Sequence, residues 1–411
     1  ATLVIAVQNI ERNKLQELAE LALESGLQIK RVPEARAWVN GVFEVRNLRK
    51  IDITSLLGRA VITLHNPKLE KHFLNKTILV TGAAGSIGSG LATALLQYKA
   101  AKLIFLDQAE SALFELEQRF KQLNNSLHIE YVIGDICDTQ RMQRLFALYQ
   151  PQIVFHAAAY KHVPLMEANP AEAIRNNIGG TQLLAQLAAQ HQAEQFIMIS
   201  TDKAVNPTNV MGASKRIAEM LVSELDTNEQ TAYVTTRFGN VLGSNGSVIP
   251  LFEKQIANGG PITLTDERIT RFFMTIPEAC QLVLEAATMG NGGEIFVFDM
   301  GAPVKILDLA KKMIQLSGLR PYTDIDIQVT GLRPGEKLYE EVLANAENTI
   351  TTYHPQILIA QTRPTTPNQA QLIKELLATV GQQENEASVR LMKQIVPEFI
   401  SKNSSFQKLD S

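Results

Sequence analysis

Cysteine is nearly absent from this chain. Its 411 residues hold two, Cys137 and Cys280, far apart in sequence. That excludes a disulfide framework and a CxxC metal site, and it fits a reducing compartment. A basic excess is missing too. With a formal net charge of −3, no cationic field would recruit nucleic acid or an anionic membrane surface, so no nucleic-acid partner is expected. No apolar run approaches the ~18 residues that cross a bilayer. A secretory signal, internal repeats and low-complexity tracts are likewise not found. What remains is ordinary for a globular protein, 45% hydrophobic and 20% charged, in a length that suits about two or three domains.

The chain opens on Thr2-Leu3-Val4-Ile5-Ala6-Val7, a strand-like run with no initiator methionine, and therefore reads as a piece of something longer. Residues 1–75 read as a small α/β domain. A strand spans Leu3–Val7. Leu15, Leu18 and Ala22 follow at helical spacing, with Gly26 placed to end the helix, and Gln28–Val32 is a second strand that Pro33 interrupts. From Lys76 to about residue 345 the pattern is that of the main domain. Thr77–Val80, Leu103–Leu106, His128–Ile133, Ile153–Ala157, Gln195–Ile199 and Ala232–Thr236 are short apolar runs separated by helical patterns. This βαβ alternation predicts an α/β fold, a Rossmann-type doubly wound parallel sheet. After residue 240 the pattern loosens, with a short strand around Glu294–Phe298 and a helix at Leu307–Leu316 forming a smaller substrate-binding part. Residues 346–411 read as a polar, helical extension, and Ser401–Ser411 as a loose tail.

One turn carries the first chemistry. Thr81-Gly82-Ala83-Ala84-Gly85-Ser86-Ile87-Gly88 lies between a strand and a helix. Gly82 permits a tight turn, Gly85 a close approach of backbone to a pyrophosphate, and Gly88 close packing of the helix. Ser86 and Ile87 open that helix, whose amides and partial positive charge face the phosphates. Asp107 ends the next strand, where a carboxylate grips the adenosine ribose. Asp135 and Ile136 follow the third strand, at an adenine-edge position, and Ala157 ends the fourth. Asp107 would repel a 2′-phosphate, and Gln108-Ala109-Glu110 supplies no arginine to hold one. The expected cofactor is NAD rather than NADP.

The second chemical stretch contains a mismatch. Ile199-Ser200-Thr201-Asp202-Lys203 ends a strand, and Met211-Gly212-Ala213-Ser214-Lys215 opens the following helix. Met211 stands one helical turn before Lys215, where nicotinamide-dependent sugar-modifying enzymes commonly carry a tyrosine base. Methionine cannot take a proton, yet an acid and an amine, Asp202 and Lys203, follow Thr201.

Together the glycine turn, Asp107, Ala157-Ala158-Ala159-Tyr160-Lys161-His162-Val163-Pro164, Asn176-Asn177, Thr201-Asp202-Lys203 and the Met211/Lys215 pair resemble the extended short-chain dehydrogenase/reductases. More narrowly they resemble the large, membrane-anchored UDP-N-acetylglucosamine 4,6-dehydratases of bacterial polysaccharide and glycan biosynthesis. The resemblance covers residues 1 to about 345. It implies a full-length protein anchored in the inner membrane by a segment absent here and working on its cytoplasmic side. It also implies a homo-oligomer, UDP-N-acetylglucosamine as substrate, NAD as cofactor and no metal. The smaller soluble relatives have tyrosine at the Met211 position, so methionine places the chain nearer the large subgroup, which resembles the type that retains configuration at C5.

In that family's reaction the sugar is oxidised at C4, loses water across C5 and C6, and is reduced at C6. The elimination needs a base and an acid on neighbouring carbons. The resemblance gives the C5 proton to Lys203, protonation of the C6 hydroxyl to Asp202, and a hydrogen bond to the C4 hydroxyl to Thr201. Lys203 must be at least partly neutral, which burial beside Lys215 would favour. Lys215 is expected on the nicotinamide ribose. Two routes stay open for the C4 hydroxyl proton, Asp202 acting through Thr201 or a water near Lys215. Lys161 and His162 are expected to wall the sugar pocket, and Asn177 to support the active-site loop. Asn240 resembles a diphosphate or sugar ligand. Ser247 and Val248 open a helix whose amides suit a phosphate. Arg271 and Arg333 are planar cations fit for a diphosphate, and Glu336 an acceptor for a ribose hydroxyl. The runner-up activity is a nucleotide-sugar 4-epimerase, which needs neither Asp202 nor Lys203. A non-catalytic nucleotide-binding protein is the third.

Overall fold

The short apolar runs read as strands fall into one sheet in the computed structural model, which describes residues 2–7, 10–32, 49–50, 66–123, 127–225, 230–341, 348–361, 365–381 and 385–410. Its strands are β1 (Thr77–Thr81), β2 (Lys102–Asp107), β3 (Ile129–Ile133), β4 (Ile153–His156), β5 (Gln195–Ile199), β6 (Ala232–Arg237), β7 (Ile295–Phe298), β8 (Asn348–Thr351) and β9 (Ile357–Gln361). The order across the sheet is β8-β9-β7-β6-β5-β4-β1-β2-β3. β1 through β7 are parallel, while β9 pairs antiparallel with β7 and β8 antiparallel with β9. Parallel strands covered on both faces need unbroken apolar sequence, and β4 and β7 are buried at every residue.

Registers align the strand ends that matter. Thr81 lies beside His156, His156 beside Met198, and Ile199 beside Thr236. The loops leaving β1, β4, β5 and β6 therefore emerge at one edge, the carboxyl edge where doubly wound sheets bind ligands. Helices α1 (Ser86–Leu95), α2 (Thr181–Gln190) and α3 (Val210–Leu225) follow three of these loops, and α4 (Ile276–Met289) packs beside α1. A π-helical segment, Ile174–Gly180, leads into α2.

Contacts gather the chain into two units. One comprises Ala1–Val61, Val241–Thr275 and Ala302–Gly331; the other comprises Ile62–Asn240, Ile276–Gly301 and Leu332–Ser411. The expected division at residues 75 and 345 is continuous along the chain, and this grouping is not. In the first unit Thr2–Ile5 pairs in parallel with Gln28–Arg31, and the helix Arg12–Glu24 packs against the helix Ile306–Leu316. Pro33 lies outside the described residues. In the second unit the expected helix-rich extension begins with two strands. β8 is exposed at every residue, so its polar sequence hides an edge strand held by backbone pairing with β9. Two helices follow, α5 (Pro367–Ala378) and α6 (Asn385–Ile395). The end of the chain is not loose. Phe406 and Leu409 are 5% and 7% exposed and join an apolar cluster with Ile373, Met392, Met211 and Ile217. Two apolar residues in an otherwise polar stretch suffice to dock it.

Candidate active site

The glycine turn requires its glycines on local geometry. Gly82 has φ +63°, and a Cβ there would lie 2.7 Å from the Ala158 backbone. A Cβ on Gly88 would lie 2.0 Å from the Gly82 carbonyl oxygen, so the close packing it permits is against the turn itself. Gly85 caps α1 without a side-chain bond, and Ser86 and Ile87 form the helix's first turn. Asp107 locks the loop: its carboxylate accepts from the Ala84 and Ala109 amides, each at 2.9 Å. Asp135 accepts from the Cys137 amide at 2.9 Å and the Arg175 guanidinium at 2.6 Å. Burial opposes its charge, but those two donors outweigh it and hold the carboxyl below its usual range. Ile136 is buried, with its side chain against Gly180. Ala157 donates its amide to the Thr81 carbonyl at 3.2 Å.

Behind the turn runs a buried chain of hydrogen bonds. Thr181 donates its hydroxyl to the Asn177 carbonyl at 2.7 Å, so across the 2.9 Å contact with His156 it can only accept. Nε2 of His156 therefore carries the proton, and Nδ1 accepts from the Thr81 hydroxyl at 2.8 Å. His156 is wholly buried; burial first, and the Lys215 charge second, push it down to about 3, so the ring is neutral. Asn177 accepts the Tyr160 amide at 2.8 Å and donates to the Tyr160 carbonyl and the Ser214 hydroxyl, both at 3.0 Å. It thus ties the Tyr160-Lys161-His162 loop to α3.

Thr201, Asp202 and Lys203 form the centre. The Thr201 hydroxyl donates to Asp202 Oδ1 at 2.9 Å, and Lys203 Nζ donates to the same oxygen at 3.0 Å. Asp202 is wholly buried, and its Oδ2 has no hydrogen-bond partner among the described residues. Lys203 Nζ also donates to Asn240 Oδ1 at 2.9 Å and lies 3.7 Å from Glu340 Oε1. Burial beside NAD and Lys215 was the expected setting for Lys203; the contacts of its Nζ are acceptors, and Lys161 is close enough to feel its charge. Gly212 lets α3 approach this loop, since a Cβ there would lie 2.2 Å from the Lys203 carbonyl. Lys215 is 4% exposed; burial first, partly offset by Glu219, lowers it to about 8. Met211 is 3% exposed within the apolar cluster that binds the C-terminal helices, so at this position the chain has packing where a tyrosine would place a hydroxyl.

A buried ion pair braces the strand ends. Arg237 and Glu219 bond at 2.8 and 2.6 Å, and the Ser200 hydroxyl donates to Glu219 at 2.6 Å. Burial opposes the Glu219 charge, but Arg237, then Arg216 and Ser200, bring the carboxyl down to about 2. The brace thereby fixes the residue before Thr201.

The remaining candidates are spread out. Lys161 and His162 follow β4. Partial burial, then the Lys203 charge, lowers Lys161, while burial, Lys161 and Arg333 lower His162, so these cations share one region. Arg333 pairs with Glu336 at 3.2 Å. Ser247, Val248 and Arg271 belong to the other unit. Ser247 caps the helix Val248–Ala257, and its Oγ is buried with no hydrogen-bond partner among the described residues. Arg271 is 8% exposed and donates to the Thr270 carbonyl at 2.7 Å.

Three residues of the site were missed from sequence. His156 had a signal, a lone imidazole closing an all-apolar strand. Glu219 had one too, one helical turn beyond Lys215. Glu340 had none.

Residues 78–362 match the family described as "Polysaccharide biosynthesis protein". "Capsular polysaccharide biosynthesis protein CapD" of Staphylococcus aureus is 47% identical over 356 residues, 86% of this chain and 58% of that protein. "UDP-N-acetylglucosamine 4,6-dehydratase (inverting)" of Campylobacter jejuni is 37% identical over 284 residues, 68% of this chain and 80% of that one. "UDP-glucose 4-epimerase" of Rickettsia rickettsii is 35% identical over 288 residues, 67% of this chain and 80% of that one. Among solved structures, Pen from Bacillus thuringiensis superposes with TM-score 0.65 at 35% identity, over 72% of this chain and 89% of that one. The chain spans about three fifths of the length of CapD.

Proposed function

The chain belongs to the polysaccharide biosynthesis protein family, built on the extended short-chain dehydrogenase/reductase fold, and from that premise we propose that it is a UDP-N-acetylglucosamine 4,6-dehydratase. The observation that carries the reading is the shared oxygen, Asp202 Oδ1, accepting from both Thr201 Oγ and Lys203 Nζ. It links a hydroxyl, an acid and an amine in one hydrogen-bonded line, as a C4 oxidation followed by a C5/C6 elimination requires.

The residues fit NAD. The Gly82 turn and the first turn of α1 would hold its diphosphate, Asp107 the adenosine ribose, Asp135 and Ile136 the adenine edge, and the buried ammonium of Lys215 the nicotinamide ribose. When bound, NAD supplies the hydride acceptor at C4 and the hydride donor at C6. The chain's own residues then move protons. Thr201 receives the O4 proton and passes its own to Asp202, whose carboxyl is thereby protonated for the next step. Lys203 as amine takes the C5 proton; the C5–C6 double bond forms as the C6–O bond breaks, and Asp202 gives its proton to the departing oxygen, which leaves as water. As C6 takes the hydride, C5 regains a proton from Lys203, whose side chain, 19% exposed, exchanges its protons with solvent. Within one unit, Lys161, His162, Asn240, Arg333 and Glu336 are the candidates for the UDP and sugar groups. We assign retention at C5, following the subgroup that Met211 resembles, although the 37% identical relative is named as inverting. The same resemblance extends the reading to an anchored full-length protein acting at the cytoplasmic face of the inner membrane, and to a homo-oligomer. Among the described residues no helix is long and apolar enough to cross a membrane.

The test is incubation with UDP-N-acetylglucosamine, followed by mass spectrometry and NMR of the product. Loss of one water supports the dehydratase. An unchanged mass with altered C4 configuration would instead make it the 4-epimerase that the Rickettsia relative suggests. In deuterated water, Lys203→Ala should abolish entry of deuterium at C5; a normal rate would remove Lys203 from the role of base.

A further inference from the structure

Glu340 is a buried carboxylate that the mechanism above leaves unused. Its side chain is 3% exposed, and Oε1 lies 3.7 Å from Lys203 Nζ, the nitrogen already held by Asp202 and Asn240. It reaches that place on a strap pinned at two points. Gly335 accepts from the Thr208 hydroxyl and the Asn209 amide group, each at 3.0 Å, and donates its own N–H to the Lys402 carbonyl at 2.7 Å. Lys337 donates to the Val205 carbonyl at 3.1 Å. Gly335 must be glycine, since its φ is +78° and a Cβ would lie 2.5 Å from Asn209 Cβ.

Resting on the dehydratase reading, we infer that Glu340 is a positioning residue that balances the charge Lys203 gains as it takes the C5 proton. When the C5–H bond breaks and the proton moves to Lys203, an ammonium forms in a largely buried site. Asp202 becomes anionic only once it has given its proton to O6. A second, fixed carboxylate stabilises the ammonium without waiting for that transfer, and preorganised charge of this kind is most effective where water is excluded. Lys161 also bears on Lys203, and its repulsion makes a counter-charge more necessary.

The experiment measures the rate of deuterium entry at C5 against pH for the unsubstituted protein, Glu340→Gln and Glu340→Asp, with the melting midpoint and retained NAD recorded for each. Glu340→Gln keeps the shape and removes the charge. It should slow exchange by about 10²-fold and move the rising limb of the profile to lower pH, because an ammonium that has lost a carboxylate gives up its proton more readily. Glu340→Asp keeps the charge; it should leave the limb in place and recover part of the rate. An unchanged rate and limb in Glu340→Gln would overturn the inference. So would equal losses in both variants with an unmoved limb, which is the signature of a merely structural residue. Absence of any dehydration by the unsubstituted protein would instead sink the reading on which the inference rests.

Discussion

At the scale of single residues, the site is an arrangement of protons whose owners are set by the donors and acceptors around them. His156 is the clearest case, with its one N–H assigned by Thr181 and its ring neutral by burial. Its folded value, about 3, lies below that of an unfolded-chain histidine, 6.5. As pH falls the unfolded state therefore takes up a proton first. The contribution is fully present above about pH 6.5 and is lost progressively toward pH 3. At pH 5 the loss is about 2 kcal/mol. Denaturant midpoints at pH 7 and pH 5 should differ accordingly, and a His156→Gln chain should show that much less difference; equal slopes in both chains would refute the assignment. Thr201, Asp202, Lys203 and Lys215 were legible in the sequence because they lie close together along the chain, on a strand end and the helix that follows. Glu340 was not, because only the closure of a distant strap brings it to Lys203.

At the scale of elements, the parallel strands were legible and the edges were not. A strand covered on both faces needs an apolar run; β7 is apolar throughout, and β1 and β4 depart from it only at their ends, at Thr77, Thr81 and His156. β8 is exposed along its length and has no such signature; backbone pairing alone makes it a strand. The π-helical Ile174–Gly180 breaks the 3.6-residue period on which a sequence reading depends. The glycine turn was legible because its demand is steric. Gly88→Ala would set a methyl 2.0 Å from the Gly82 carbonyl oxygen, and the turn would have to open. We expect a loss of about 2 kcal/mol or more together with loss of retained NAD, read by thermal melting and by the absorbance of nucleotide released from the purified protein. A Gly88→Ala chain with unchanged stability and NAD content would contradict the geometry.

At the scale of the molecule, the C-terminal segment belongs to the unit that carries the candidate site. Ile400 and Lys402 donate backbone N–H groups to Pro207 and Thr208 at 3.2 and 3.1 Å, and Lys402 accepts from Gly335, so the end of the chain clamps both the loop after Lys203 and the strap of Glu340. Phe406→Ala, which empties a site in the apolar cluster, should cost about 3 kcal/mol. By loosening the clamp it should lower dehydration more than NAD retention; calorimetry and the two assays on one preparation test this, and equal losses would show that the tail only stabilises. The sequence by itself determined the sheet, the glycine turn and the line of Thr201, Asp202 and Lys203, because apolar runs, steric exclusion and adjacent residues are local properties. Only the tertiary structure decided that acceptors surround Lys203, that Met211 packs in a core shared with the C-terminal helices, and that a carboxylate from the far end of the chain faces the proposed base. Those depend on the burial and docking of segments whose own sequences are polar.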